Sequence, residues 1–247
     1  MSVSKHDVVI IGGGHNGLTV AAYLAKASVN VCVVELQDMV GGCVITRELT
    51  LPGFKHDLAG AIHMMIQANP MLHQDELGLK SKYGLKYISP DVPGAIVFSD
   101  DSALVIYKDI MKTYESIKQY SKKDADSYLK FCNYLKKTMA PANVGMFTAP
   151  PRFGAMMSFL DTSEEGREYT RLMLASVQDV AEEWFESPHM RAALGRWASE
   201  EMIGPREKGT GIYVSAWPLF HSWGLTMPEG GSGALSEALE ACILDNG

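Results

Sequence analysis

Along this chain the spacing of apolar and polar positions changes several times, and each change predicts a different element. Asp7 leads into the unbroken run Val8-Val9-Ile10-Ile11, the pattern of a strand buried on both faces of a parallel sheet. Gly12-Gly13-Gly14-His15-Asn16-Gly17 follows at once. Residues 18–26 then form a helical run in which Ala21, Ala22 and Ala25 leave room for close packing on a sheet. A second apolar strand, Val31-Cys32-Val33-Val34, ends in Glu35, 23 positions beyond Gly12. Residues 44–51 read as a short strand, and Pro52-Gly53 as a turn.

Over residues 83–107 the pattern shifts to short strands at 85–88, 95–98 and 104–107. Turn residues Ser89-Pro90-Asp91, Pro93-Gly94 and Ser99-Asp100-Asp101 separate them, which predicts a small antiparallel sheet. Helices dominate beyond it. Ile110, Tyr114 and Ile117 share one face, and Ser121 with Asp124 resembles a capping box opening a helix that carries Leu129, Cys132 and Leu135. Residues 162–185 read as one long helix with Tyr169, Met173, Val177, Val180 and Trp184 on a single stripe. Ser187-Pro188 caps another, carrying Leu194 and Trp197 and stopping at Gly204-Pro205. Gly230-Gly231-Ser232-Gly233 opens a last helix from Ala234 to about Leu244. Asp245-Asn246-Gly247 is a turn signal that ordinarily feeds another strand.

Composition narrows the class. The 247 residues suffice for one large domain or two small ones, and 47% apolar with 21% charged residues is ordinary for a soluble globular protein. A formal net charge of −7 and the lack of a dense Lys/Arg run argue against a nucleic-acid partner. No apolar stretch reaches transmembrane length, and the polar start Met1-Ser2-Val3-Ser4-Lys5-His6 is not a signal peptide. Cys32, Cys43, Cys132 and Cys242 are scattered, so neither a metal cluster nor a redox pair is expected, and a cytoplasmic location fits.

The candidate chemistry lies in the first β-α-β unit. Gly12 lets the chain turn out of the strand. Gly14 lets an anionic pyrophosphate approach the backbone N–H groups at the positive end of the helix, and Gly17 lets helix and strand pack closely. Glu35 can accept hydrogen bonds from an adenosine ribose, while its charge disfavours a 2′-phosphate. These parts together predict a dinucleotide site at Gly12, Gly14, His15, Asn16, Gly17 and Glu35. They do not separate NAD from FAD. Ser28 stands where a helix ending before a second strand often has Gly.

Val8 to Leu18, Glu35 with Gly41-Gly42, Leu51-Pro52-Gly53-Phe54-Lys55 and Pro228-Glu229-Gly230-Gly231-Ser232-Gly233-Ala234-Leu235 together carry a resemblance. In order and spacing they resemble the amino-terminal half of the phytoene-desaturase-like branch of the FAD-dependent amine oxidase superfamily, with its pyridine nucleotide-disulfide oxidoreductase domain protein 2-like members. The resemblance implies an α/β fold: a Rossmann-like FAD-binding sheet, incomplete in this chain, with a mixed, mainly helical second lobe. It implies residues 1–82 for FAD, 83–228 for the substrate/helical lobe and 229–247 as the return segment. It places Gly41 and Gly42 beside the FAD phosphates and Ala59, Gly60, Ala61 and His63 on the flavin side. Many members follow the Gly-Gly pair with Arg; this chain has Cys43.

The relatives are about twice as long, so the resemblance also implies a split enzyme. A second polypeptide would supply the carboxy-terminal half and cover strand edges that are otherwise open and apolar. A fragment of a longer chain is the alternative.

Other features have two readings each. His63 is the one catalytic candidate, and a hydrogen-bonded core histidine competes with it. Asp57 can simply satisfy nearby backbone N–H groups. Residues 139–160, with Pro141, Pro150, Pro151, Met146, Phe147, Phe153, Met156, Met157 and Phe159, suit a lipophilic substrate, a core, a subunit interface or peripheral membrane contact. Trp217-Pro218-Leu219-Phe220-His221-Ser222-Trp223 is either a pocket wall or packing. The glycine loop at 230–233 either touches a ligand or is a hinge.

The expected function is a flavin-dependent oxidoreductase that dehydrogenates a small or lipophilic substrate by hydride transfer. An NAD(P)-dependent dehydrogenase and a non-catalytic nucleotide-binding subunit are the rivals.

Overall fold

The computed structural model describes residues 4–140, 145–200 and 202–247; Pro141 lies outside them. The strands are β1 (Val8–Ile11), β2 (Val31–Val34), β3 (Thr46–Glu48), β4 (Lys55–Asp57), β5 (Tyr87–Ile88), β6 (Gly94–Val97), β7 (Ala103–Ile106) and β8 (Met227–Pro228). The helices are α1 (His15–Lys26), α2 (Pro70–His73), α3 (Ile110–Lys118), α4 (Lys122–Thr138) and α5 (Phe153–Leu160), followed by α6 (Glu164–Leu174), α7 (Val177–Trp184), α8 (Pro188–Glu200), α9 (Trp217–Ser222) and α10 (Gly233–Asn246). The chain divides into two compact units, Met1–Ser89 with Leu225–Gly247, and Pro90–Gly224.

In the first unit β1 and β2 pair in parallel, Val8 opposite Val31 through Ile11 opposite Val34. Ile10, Val31 and Val33 pack on a core built from Leu18, Ala21, Ala22 and Ala25 of α1 and Leu235, Ala238, Leu239 and Cys242 of α10. The alanines let the helices approach the sheet and each other. The other face of the sheet is bare: Val9, Ile11 and Val34 are exposed, Ile11 by 91%. Ser28 takes the left-handed conformation expected at the end of α1, with φ +62°.

A hairpin of β3 and β4 follows, turning at Gly53. The end of α10 differs from the sequence reading. Residues 245 and 246 continue the helix, held where Asp245 accepts hydrogen bonds from Lys82 and from the Tyr83 hydroxyl, the latter at 2.9 Å.

Two further expectations change. The short strand at 87–88 does not join a sheet with β6 and β7; it pairs antiparallel with β8, Tyr87 opposite Pro228. The first unit therefore extends to Ser89 and resumes at Leu225, instead of dividing at 82/83 and 228/229. That partner is some 140 positions away in sequence, beyond the reach of local pattern.

In the second unit the long helix expected over 162–185 is two helices, α6 and α7. Ala175 is extended, and Ser176 starts α7 with a capping box: its hydroxyl accepts from Asp179 N–H, and Asp179 accepts from Ser176 N–H at 2.8 Å. Gly209 and Gly211 N–H both donate to the Ala175 carbonyl, so a neighbouring loop takes up the carbonyl that a continuous helix would use. α4 opens at Ser121 as expected. Its Asp124 carboxylate also accepts from Glu186 and Ser187 N–H, at 2.9 and 2.7 Å, fixing the approach to α8. Among the described residues no helix is long and apolar enough to cross a membrane.

Candidate functional site: a glycine-lined cradle at the first helix

α1 begins at Gly14, in extended conformation (φ −69°, ψ 164°), and no side chain caps it. Its first internal bond is Leu18 N–H to the Gly14 carbonyl, 2.9 Å. The N–H groups of the first turn are thus left for a ligand or water, at the positive end of the helix. Gly41 lies directly alongside: its N–H donates to the Gly13 carbonyl at 2.7 Å, and Gly14 and Gly41 form a parallel bridge.

The glycines divide into two kinds. A Cβ on Gly17 would stand 2.3 Å from the Gly12 carbonyl oxygen, and one on Gly41 2.4 Å from the Val44 oxygen; these two are required by packing. A Cβ on Gly14 meets nothing closer than the Gly42 Cα at 4.0 Å. Packing leaves room there, so the space above Gly14 is open.

Glu35 closes one side of the cradle. Its carboxylate accepts from Gly13 N–H at 2.7 Å, Leu36 N–H at 2.8 Å and Gln37 N–H at 2.9 Å. Hydrogen bonds from Gln37 and Gly13 above all hold its pKa below the usual value, so it is an anion at neutral pH with lone-pair capacity left.

Gly60 is tied in through its N–H to the Cys43 carbonyl, 3.1 Å. Ala61 is half-buried and Ala59 exposed on the same segment; His15 is half-buried and Asn16 exposed in the first turn of α1. Cys43 is exposed. The nearest arginine in sequence, Arg47, is paired with Asp38 at 2.6 Å.

His63 is buried, with Nδ1 3.1 Å from the Tyr87 hydroxyl and its backbone N–H donating to the Thr226 carbonyl. Burial pushes its pKa down, against the pull of Asp57. This is the environment of a core histidine joining the β5 and β8 segments.

Asp57 has a role that sequence only half disclosed. Its Oδ1 accepts from Thr46 Oγ1 (2.6 Å), Ser232 N–H (2.8 Å) and Ser232 Oγ (3.0 Å), while Gly233 N–H donates to Thr46 Oγ1 at 2.9 Å. Burial pushes the carboxyl upward, but these hydrogen bonds outweigh it and its pKa is lowered. Ser236 Oγ donates to the Val44 carbonyl at 2.7 Å. The start of α10 is thereby pinned to the strand leaving Gly41-Gly42. Gly231 has to be glycine, since a Cβ would lie 2.4 Å from Thr46 Oγ1. Sequence showed a short strand over 44–51 and a turn at Pro52-Gly53, but neither the pairing of Thr46 with Asp57 nor the return of residues 231–236 to them.

In the second unit Trp217 and Phe220 are buried and meet edge-to-face, so that aromatic cluster packs. An open groove of about 770 Å³ runs beside β7, lined in part by Val105, Tyr107, Met111 and Ser116. Sequence reading had not marked it.

An uncapped helix start lined by glycine, flanked by a second glycine pair and an anionic carboxylate at the next strand end, fits the pyrophosphate and ribose of a dinucleotide. The fold and this cradle are those of a Rossmann-like domain, and residues 10–74 match the model of the NAD(P)-binding Rossmann-like domain.

Over 96% of its length the chain is 32% identical to one subunit of the limonene dehydrogenase of Castellaniella defragrans, covering 43% of that protein. It is 27% identical to pyridine nucleotide-disulfide oxidoreductase domain-containing protein 2 of Rattus norvegicus, over 98% of this chain and 46% of the relative. A lycopene-forming phytoene desaturase of Pantoea ananas is 24% identical over 96% and 47%. A putrescine oxidase variant shares the fold, at TM-score 0.60 and 18% identity, over 98% of this chain and 50% of that one. The chain matches the amino-terminal half of the phytoene-desaturase-like branch of the amine oxidase superfamily, a flavin-type oxidoreductase family. It spans about half the length of the curated relatives it matches.

Proposed function

We propose that this chain is the FAD-binding subunit of a flavin-dependent oxidoreductase that dehydrogenates a small or lipophilic substrate, completed by a second polypeptide. The observation carrying this reading is the uncapped start of α1, open above Gly14 and bounded by Gly41-Gly42. The N–H groups of Gly14, His15, Asn16 and Gly17 bind the pyrophosphate there. Glu35 orients the ribose and repels a 2′-phosphate, and Gly12, Gly41 and Gly42 keep the backbone close. Gly60 and Ala61 line the flavin side. When bound, FAD supplies the acceptor for the hydride leaving a substrate C–H bond. His63 positions the wall behind that segment; its burial against Tyr87 favours packing over proton transfer.

The bare face of the β1–β2 sheet supports the partner, because parallel strands are covered on both faces in folded proteins. A relative whose name makes it one subunit of a dehydrogenase supports a multi-subunit assembly, although that relative carries its other half on the same chain. On α5, Phe153 (70% exposed) and Phe159 support contact with an apolar phase at a membrane surface. A cytoplasmic location accompanies this reading, with all four cysteines unpaired.

Native purification tests it. A yellow protein absorbing near ~450 nm and carrying stoichiometric FAD is expected, together with a second polypeptide resembling the relatives' other half. Anaerobic bleaching by a reductant substrate separates an enzyme from a purely structural flavin subunit. The matched domain model favours NAD(P) as a second reading; a colourless protein that takes up NADH, not FAD, would establish it.

A further inference from the structure

The cradle has to receive the two negative charges of a pyrophosphate, and anions already stand around it. Glu35 is one, kept ionised by the N–H groups of Gln37, Gly13 and Leu36. Asp57 is another: burial pushes its carboxyl up, but hydrogen bonds from Thr46 and Ser232 hold it below the usual value.

Against these charges the cradle sets the positive end of α1 and no fixed cation. Arg47 is committed to Asp38. Lys26, at the far end of α1, donates to the Glu76 carbonyl. Asn16 and Cys43 have no positive form. The start of α10, pinned to the strand leaving Gly41-Gly42, buries Ser232, Gly233 and Ser236, which carry no charge.

His15 is the exception. It is the first residue of α1 and half-buried. Its carbonyl accepts from Thr19 Oγ1 at 2.7 Å, whereas its imidazole has no hydrogen-bond partner among the described residues. It lies close enough to His63 for a charge on one ring to act on the other. His63 itself is no rival, since burial keeps it neutral and its Nδ1 is engaged with the Tyr87 hydroxyl. Imidazole is also the side chain that gains a positive charge near neutrality.

We infer that the His15 imidazole is the cation of this site, taking up a proton as the pyrophosphate binds, so that FAD is held more tightly as pH falls. This inference rests on the FAD reading above and adds the group that neutralises the cofactor. The proton comes from solvent and returns there on release; no other bond changes. Two phosphate charges beside the ring, with Glu35 and Asp57 already negative, favour the imidazolium, and by linkage the imidazolium favours the phosphates. One such proton changes affinity by up to about tenfold per pH unit.

The test is to titrate FAD into flavin-free protein, prepared from natively purified material with whatever partner it carries. Flavin fluorescence is followed between about pH 6.5 and 8.5, above the range in which buried histidines take up protons on unfolding. Wild type is expected to bind at least about threefold more tightly at the lower pH and to draw protons from a weakly buffered solution as FAD is added. His15→Gln has no charged form and should be flat, at the weaker wild-type affinity. His15→Arg carries its charge throughout and should be flat at the tighter one. Melting temperatures without FAD show whether the variants fold. If neither does, the imidazole C–H signals of His15 in the wild type decide: movement to imidazolium positions on adding FAD at mid-range pH supports the inference, and unmoved signals overturn it.

A pH-independent wild-type affinity overturns the inference and leaves the FAD reading standing. So does a His15→Gln variant that keeps the wild-type slope, or a slope that disappears only in His63→Gln. Protein that binds no FAD at any pH brings down the FAD reading, and this inference with it.

Discussion

Gly14 and Gly17 stand three residues apart, yet the structure asks different things of them. At Gly17 a methyl group would press on the Gly12 carbonyl, a backbone atom that cannot move without shifting β1 from α1. Gly17→Ala should therefore cost about 1–3 kcal/mol by overpacking, read as a lower melting temperature even without nucleotide. At Gly14 the backbone is extended and the neighbouring space empty. Gly14→Val should melt close to wild type and still bind FAD at least tenfold more weakly, a loss of about 1.4 kcal/mol, measured by flavin fluorescence titration. Equal affinity in the two proteins would remove the cradle from the cofactor site. Ser28 offers the reverse test. Its φ of +62° is costly for any residue with a Cβ, so Ser28→Gly should stabilise by about 0.5–1 kcal/mol, a rise in melting temperature of about 2–4 °C per kcal/mol.

The elements of the first β-α-β unit were legible because every signal for them is local: an apolar run, a glycine turn, alanines at helical spacing and an acid at the next strand end. The break between α6 and α7 was equally local and was missed. Ser176 and Asp179 carry the capping-box spacing, but an apolar stripe running through Met173, Val177 and Val180 masks it. Periodicity reports which side is buried and is blind to a one-residue interruption that keeps the same side inward. Ser176→Ala removes the acceptor for Asp179 N–H and a donor to its carboxylate in a buried setting; a loss of about 1 kcal/mol is expected in denaturant unfolding, with Ser176→Thr, which keeps the hydroxyl, recovering part of it. The β5–β8 pairing and the Asp57 clasp on Ser232 were illegible for a different reason, since their partners lie far apart in sequence. Asp57→Ala strands a buried Ser232 N–H and hydroxyl, so a cost of about 1–3 kcal/mol is expected. Faster amide exchange should be confined to the start of α10 and to β3.

At the scale of the whole molecule, each compact unit holds a histidine that folding keeps neutral. In the first it is His63, whose pKa burial lowers most, with Asp57 pulling it up and His15 down. In the second it is the half-buried His221, again lowered chiefly by burial. There Nδ1 lies 3.0 Å from the Tyr107 carbonyl, an acceptor only, so Nδ1 carries the proton. Nε2 must then accept from the Tyr128 hydroxyl at 2.6 Å, and protonating it takes that acceptor away from the buried hydroxyl. In the unfolded chain both side chains titrate near ~6.5. Above that pH neither state binds the proton and stability is unaffected. As pH falls below it the unfolded chain gains protons that the folded one refuses, so stability drops, by up to about 1.4 kcal/mol per pH unit for each histidine. The loss is complete once pH has passed through the lowered folded values. Urea midpoints measured from pH 8 to pH 5 should be flat at first and fall below about 6.5, with His63→Gln and His221→Gln each making the acid limb shallower. A midpoint that stays level across that range, or two variants that keep the wild-type slope, would show that these histidines charge freely in the folded protein and that the contacts at Tyr87 and Tyr128 do not hold them neutral.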